Sequence, residues 1–234
     1  MIPGRRFDSY PVKINKANFY IPELCASKIM YITRQCTILQ NVIAVYHSVY
    51  DSLCWYEKFA DPHFVSGPTM ATLNGVLALR FANADVIPYS VGQYATDFKG
   101  HVENLSQRAQ ILQFGFDQTV FDHHIHSLSK ISVQYEKLRD SRLDEADVLD
   151  NVNHKLIGLE RAWVHSDGLQ NRLWSRSLFG AEDPFEGYAP WMLPGLRWEV
   201  EQKNESGLQI WTEIYVQALV RLEHQVHDIV DLLV

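Results

Sequence analysis

His123, His124 and His126 place three metal-capable side chains within four positions. On a helix, residues three apart share a face, so His123 and His126 are placed to approach one ion. A closed zinc site takes four ligands, so His101 and His154 would have to join through helix packing. The competing reading is an exposed polar face lying between Phe121 and Ile125. His224 and His227 read in the same way, as a solvated face near a helix C-terminus, where the dipole favours a cation. His47, beside Tyr46, stands apart from these histidines. The 45 residues before Tyr46 hold no histidine and only two carboxylates, Asp8 and Glu23. One imidazole without partners cannot organise a catalytic metal.

Other chemistry is missing from the sequence. There is no GxxxxGK[ST] and no GxGxxG, so no nucleotide loop is indicated. Neither GxSxG nor HExxH occurs, which argues against a serine hydrolase and a helix-borne zinc protease. Cys25, Cys36 and Cys54 are odd in number and never spaced CxxC. A disulfide framework or cysteine zinc site is not expected, and free thiols fit a reducing compartment.

The elements that must position these residues are read from periodicity. Residues 1–45 read as an N-terminal arm, irregular over 1–22, which carry Pro3, Gly4, Pro11 and Pro22. Within it, residues 23–45 fit a helix, or a helix followed by a buried strand at Ile38, Val42, Ile43 and Val45. Beyond residue 50 the period is helical. Ser52–Phe59 predicts a short helix stopped by Asp61-Pro62. Pro68 suits a helix start. From Met70 to Ala82 the helix is apolar around much of its girth, which predicts burial on more than one side; Pro88 stops it. Ser90 is the expected N-cap of a helix carrying Tyr94, Phe98, Val102 and Leu105. Further helices are expected over about 118–138 and 145–164. Residues 165–195 read as one long loop, rich in Gly, Pro and aromatics, which argues for an ordered, packed connection. The last helix, 206–233, lines up Trp211, Ile214, Tyr215, Ala218, Leu222, Val226, Ile229 and Leu233 on one stripe. No strand alternation is visible beyond residue 50. The fold class is therefore all-α, a helical bundle with an irregular N-terminal arm.

The 234 residues are 47% hydrophobic, enough for one domain with a real core. Lys and Arg number 21 against 28 Asp and Glu, a net charge of −7. That mildly acidic balance gives no nucleic-acid footprint. The start, Met1 to Arg6, is basic but precedes no apolar run, so no secretory signal is expected and the default compartment is cytoplasmic. Polar residues interrupt the apolar segment 29–46, so no membrane span is expected.

Five separated segments then appear in a telling order. They are Tyr46-His47-Ser48-Val49-Tyr50-Asp51, Glu57-Lys58-Phe59-Ala60-Asp61-Pro62, Ala82-Asn83-Ala84-Asp85-Val86-Ile87-Pro88-Tyr89, Leu159-Glu160-Arg161-Ala162-Trp163, and Gly187-Tyr188-Ala189 with Leu193-Pro194-Gly195. From about Val45 to the end, the chain resembles the C-terminal part of the transferrin receptor and glutamate carboxypeptidase II family. The resemblance implies a helical dimerisation domain over 65–234, a remnant of a peptidase-domain end over 46–64, and a two-fold dimer. It also implies that His47 corresponds to the family's last zinc ligand and Tyr46 to a neighbour that steadies an oxyanion. Tyr188 matches a tyrosine that helps grip a substrate carboxylate, but Gly187 stands where the family has lysine. A cation is the natural anchor for a carboxylate, so acidic-peptide specificity is in doubt. Arg172 and Arg176 are candidate substitutes, although nothing in the spacing favours them.

The expected function is a non-enzymatic homodimerisation module with no cofactor. It would pair copies through the apolar faces of the Pro68–Ala84 helix and the C-terminal helix. An isologous pairing that buries both stripes would exceed about 1,600 Å². The alternative is the C-terminal fragment of a zinc-dependent carboxypeptidase or aminopeptidase, active only with its catalytic domain. In that case His47 would bind zinc. A stand-alone metal protein built on His123, His124 and His126 is the third reading.

Overall fold

The computed structural model describes Val45 and residues 48–142, 146–185, 187 and 189–234. The chain divides into two compact units, Met1–Asp51 and Ser52–Val234. In the first unit, the Ser48 hydroxyl donates to the Val45 carbonyl at 2.6 Å and accepts from the Tyr50 amide at 3.2 Å. The expected arm and its helix or strand over residues 23–45 otherwise lie outside the described residues.

The second unit is helical. Its elements run α1 Leu53–Trp55, a π-helical turn Tyr56–Ala60, α2 Ser66–Ala82, α3 Val91–Ile111, a 3-10 turn Thr119–Phe121, and α4 Asp122–Ser141. Then come α5 Ala146–Gly158, a 3-10 turn Leu159–Trp163, β1 Gly180–Glu182, β2 Pro190–Met192, α6 Pro194–Gln202 and α7 Glu205–Leu233. The all-α class expected from periodicity is the class observed.

The core is organised around α7. Asn204 caps it, its side chain accepting from the Gly207 amide at 3.2 Å. Leu208, Trp211, Tyr215, Ala218, Leu222, Val226, Ile229 and Leu233 are buried at three- and four-residue steps. α4 packs most extensively on α7, and α3 packs on α4. α4 contributes Leu128, Ile131 and Tyr135, and α3 contributes Phe98, Val102 and Leu105. Polar ties span the helices at the rim: His124 Nδ1 lies 3.0 Å from Glu223 Oε1, and Lys155 Nζ 3.0 Å from Asp228 Oδ2. Arg108 grips Glu201 with two bonds of 2.9 and 2.7 Å.

Two expectations about apolar surface change here. The α7 stripe is consumed within this chain's own core, so it is not surplus surface for a second copy. The reverse holds for α2, which was expected to be buried on more than one side and buries none of its 17 residues. Met70, Val76, Leu79 and Phe81 are exposed, Leu79 to 62%. Apolar girth reports that a helix wants cover; it does not say that the same chain supplies it.

The segment 165–195 also differs from a plain loop. β1 and β2 pair antiparallel, with Ala181 opposite Trp191. Each strand has three residues, too short for alternation to show in the sequence. Of the aromatics expected to pack this segment, Phe179 and Trp191 turn inward, Trp174 and Phe185 are exposed, and Tyr188 lies outside the described residues. Trp163 sits centrally, stacked at 27° on Phe98 and edge-on to Phe179, whose ring centroid is 5.0 Å away. The hydroxyl of Tyr215 donates to the Leu178 carbonyl at 2.7 Å and accepts from the Gly195 amide at 3.1 Å. Burial raises the Tyr215 pKa well above the usual tyrosine range, so the group stays a neutral donor. α6 was not expected from the sequence. It opens at Pro194, which fits a first helical turn, after Leu193 in the left-handed region at φ 49°.

Candidate functional site

Tyr46, His47 and Tyr188 all lie outside the described residues. Gly187 is described, and it has φ 75° and donates its amide to the Asp183 carbonyl at 2.9 Å. That left-handed conformation suits glycine and disfavours a lysine there. Arg172 is buried and committed inward, bonded to the Glu182 carbonyl and 3.6 Å from Glu182 Oε1. Arg176 is exposed.

The histidine candidates do not converge. His123 and His126 are exposed, as the polar-face reading expects, while His124 is half-buried against Glu223. His101 packs edge-on to Phe179 at 5.6 Å. Burial there lowers the imidazole pKa, partly offset by the Asp97 carboxylate. His154 turns to Asp150 within its own helix. His224 and His227 are exposed on α7. Among the described residues, no three His, Cys, Asp or Glu side chains come together as a metal-binding group.

Two other features stand out. One is the α2 face and the joint that aims it. Asp61 accepts from the Val65 amide at 2.9 Å, the Ser66 amide at 2.8 Å, the Ser66 hydroxyl, and Tyr56 Oη at 3.2 Å. The carboxylate thereby caps the N-terminus of α2, where the dipole also favours a negative charge. These bonds, led by the Ser66 hydroxyl, hold its pKa down to about 2. The π turn carries Asp61 into position, its amide closing on the Tyr56 carbonyl at 2.9 Å. Sequence reading took Asp61-Pro62 as a stop signal and missed the cap. An Asp five residues before a serine is not one of the usual capping spacings. Pro68 is the third residue of α2, where its missing N–H is still harmless.

The other feature is an open cleft of about 470 Å³ beside the β1–β2 connection. Arg172, Trp174, Glu182, Asp183, Phe185 and Trp198 line it. Asp183 pins the connection, accepting from the Phe185 amide at 2.7 Å and from Trp191 Nε1 at 2.8 Å. Phe185 stacks on Trp198 at 18°, with centroids 6.4 Å apart.

Comparison with known proteins decides the family. The model of the transferrin receptor-like dimerisation domain matches residues 102–227, from α3 to α7. The chain belongs to this family. α2 lies N-terminal to the matched segment. The chain is 32% identical over 152 residues to a probable glutamate carboxypeptidase of Arabidopsis thaliana, covering 65% of this chain and 22% of that one. It is 28% identical over 141 residues to a probable glutamate carboxypeptidase of Zea mays, covering 57% and 19%. It is 26% identical over 191 residues to an aminopeptidase of Rattus norvegicus, covering 74% and 24%. This dimerisation-domain chain therefore spans about a fifth to a quarter of the length of the curated relatives it matches. No helix among the described residues is long and apolar enough to cross a membrane.

Proposed function

We propose that this chain is a non-enzymatic self-association module, pairing with a second copy through the exposed face of α2. The single observation that carries this reading is the unburied α2, a 17-residue helix with Met70, Val76, Leu79 and Phe81 in solvent. A helix of that length is about 25 Å long. Apolar surface of that extent on a soluble domain marks an interaction site. The exposed Phe59, Phe64 and Val65 of the preceding joint extend the same apolar character. Family membership supports the assignment, since the matched domain is one of dimerisation. Size-exclusion chromatography with light scattering tests it. The unaltered chain should run at twice its 27.0 kDa mass. The double variant Val76→Asp, Leu79→Asp should run as a monomer with unchanged far-UV circular dichroism. A clean monomer of the unaltered chain at tens of micromolar overturns the proposal.

A second reading is favoured by the relatives' names and by the small share of their length that the chain spans. On this reading the chain is the C-terminal piece of a zinc-dependent peptidase, and α2 packs on the catalytic body. Tyr46 and His47 would then serve a metal completed by that body. The described residues offer no zinc ligand set, so no catalytic step is assigned to this chain. Coding sequence upstream of Met1 with further histidine and carboxylate ligands would support this reading. Chelator-sensitive cleavage of a peptide by the isolated chain would refute the non-enzymatic assignment.

A further inference from the structure

We propose that Asn153, on α5, fixes the direction in which α2 leaves the bundle and so presents its apolar face at one angle to a second copy. The consequence rests on pairing through α2; the clamp itself does not. α2 has little else to steady it. From Ser52 to Asp85 no residue is buried, and none of the larger packing contacts between elements of the described chain involves α2. Its C-terminus is closed locally, the Asn83 backbone amide and side chain both donating to the Leu79 carbonyl, at 3.0 and 2.7 Å. Val86 is the first buried residue after it, and Ile87 packs partly on the core. The bundle therefore takes hold of this segment at residues 85–87.

Asn153 makes that hold directional. Its Nδ2 donates to the Asp85 carbonyl at 2.9 Å, and its Oδ1 accepts from the Ile87 amide at 2.8 Å. One planar side-chain amide thus pairs with two backbone groups on alternate residues, as a residue of a neighbouring parallel strand does. The orientation of the side-chain amide is settled by its partners, since a backbone N–H only donates and a carbonyl only accepts. Two bonds from one rigid plane restrain rotation at the joint, where a single bond would act as a pivot. Asn153 is itself held in place, because Val152 and Leu156 on the same helix are buried and α5 packs on α7. Outside the clamp, the Phe81 and Tyr89 rings meet edge-on at 6.1 Å, and both stay exposed. The leverage is large. α2 is about 25 Å long, so a swing of about 10° at the joint carries its far end through about 4 Å. An interface packed as closely as a protein interior is lost at such a displacement. A helix whose direction is set beforehand spares a pairing partner the cost of ordering it.

Distances between spin labels test the clamp, and light scattering tests its consequence. Labels sit at Thr69→Cys on α2 and Lys130→Cys on α4, both exposed positions, in a chain carrying Cys25→Ser, Cys36→Ser and Cys54→Ser. Val76→Asp and Leu79→Asp are included, so that pairing neither steadies α2 nor adds distances between copies. With Asn153 intact the distance distribution should be single and narrow. Asn153→Ala should widen it by about 3 Å, the travel of a swing of about 10° at that label. Asn153→Asp keeps the size of the side chain but sets an acceptor against the Asp85 carbonyl, and should widen it as well. In the chain without labels and without the two new aspartates, Asn153→Ala should raise the dimer dissociation constant. If each α2 then keeps the pairing direction about a tenth of the time, the rise is about a hundredfold, because both copies must hold it at once. Tyr215→Phe, which weakens the fold away from the joint, should move neither readout. Equally narrow distributions in both Asn153 variants overturn the clamp, whether or not the unaltered chain pairs. A widened distribution with an unchanged dissociation constant overturns its link to pairing. A monomeric unaltered chain refutes pairing through α2, and presentation to a second copy with it, while the distances still decide the clamp.

Discussion

Replacing Tyr215 by phenylalanine removes one oxygen and leaves the ring in place. That oxygen is fully buried and serves two backbone groups, the Leu178 carbonyl and the Gly195 amide. Neither is shielded from the loss by water, since both bonds lie in the core. Each buried group left without its partner costs about 1–3 kcal/mol, offset by the reduced desolvation of the phenol itself. The expected net destabilisation is about 2–3 kcal/mol. For a domain of this size, that lowers the melting temperature by roughly 4–12 °C. Tyr135→Phe is the matched control. Its hydroxyl is equally buried but makes no hydrogen bond of ordinary geometry, with the Arg139 guanidinium nearby. That substitution should stay within about 0.5 kcal/mol of the unaltered chain. Urea unfolding followed by circular dichroism measures both, with stability differences read from midpoints at constant slope. If the two variants are equally stable, the argument that Tyr215 fastens residues 178–195 to α7 is wrong.

Asp61 should titrate far below an ordinary aspartate. Its folded pKa of about 2 lies below the reference of 3.8, so its capping contribution is complete above about pH 4 and fades as pH falls through 2. Amide shifts of Val65 and Ser66 should follow a midpoint near 2 in an NMR titration, and Asp61→Asn should abolish the response; a midpoint near 4 would refute the cap. Gly195→Ala should cost about 1–3 kcal/mol, because a Cβ there would run into the Trp211 ring. Thermal unfolding indistinguishable from the unaltered chain would show that Trp211 can move aside.

The bundle was legible because its helices alternate apolar and polar faces at the helical period. In α3 and α7 the anticipated stripe residues are the buried ones, with Tyr94 and Ile214 only partly so. α2 was legible as a helix but not as an exposed one. Its composition is that of a buried element, and only tertiary placement shows that none of its residues is fully buried. α6 was hidden by Pro194 and Gly195 in its first turn, and the hairpin by strands of three residues. The resemblance-based site at Tyr46, His47 and Tyr188 falls outside the described residues. The histidine run showed its chemistry in sequence but not its directions: packing sends His124 to Glu223 and leaves His123 and His126 to water. Asp61 escaped notice because its reach across a π turn has no local sequence signature.

The fastening of the hairpin region has an entropic side. Tyr215 grips the strand-flanking backbone at Leu178 and Gly195, Asp183 accepts from the Trp191 indole N–H, and Trp163 clamps Phe179. Backbone held at these points has already lost its conformational freedom during folding. Whatever docks beside these points therefore meets backbone set in advance, and little of its binding free energy is diverted to ordering it.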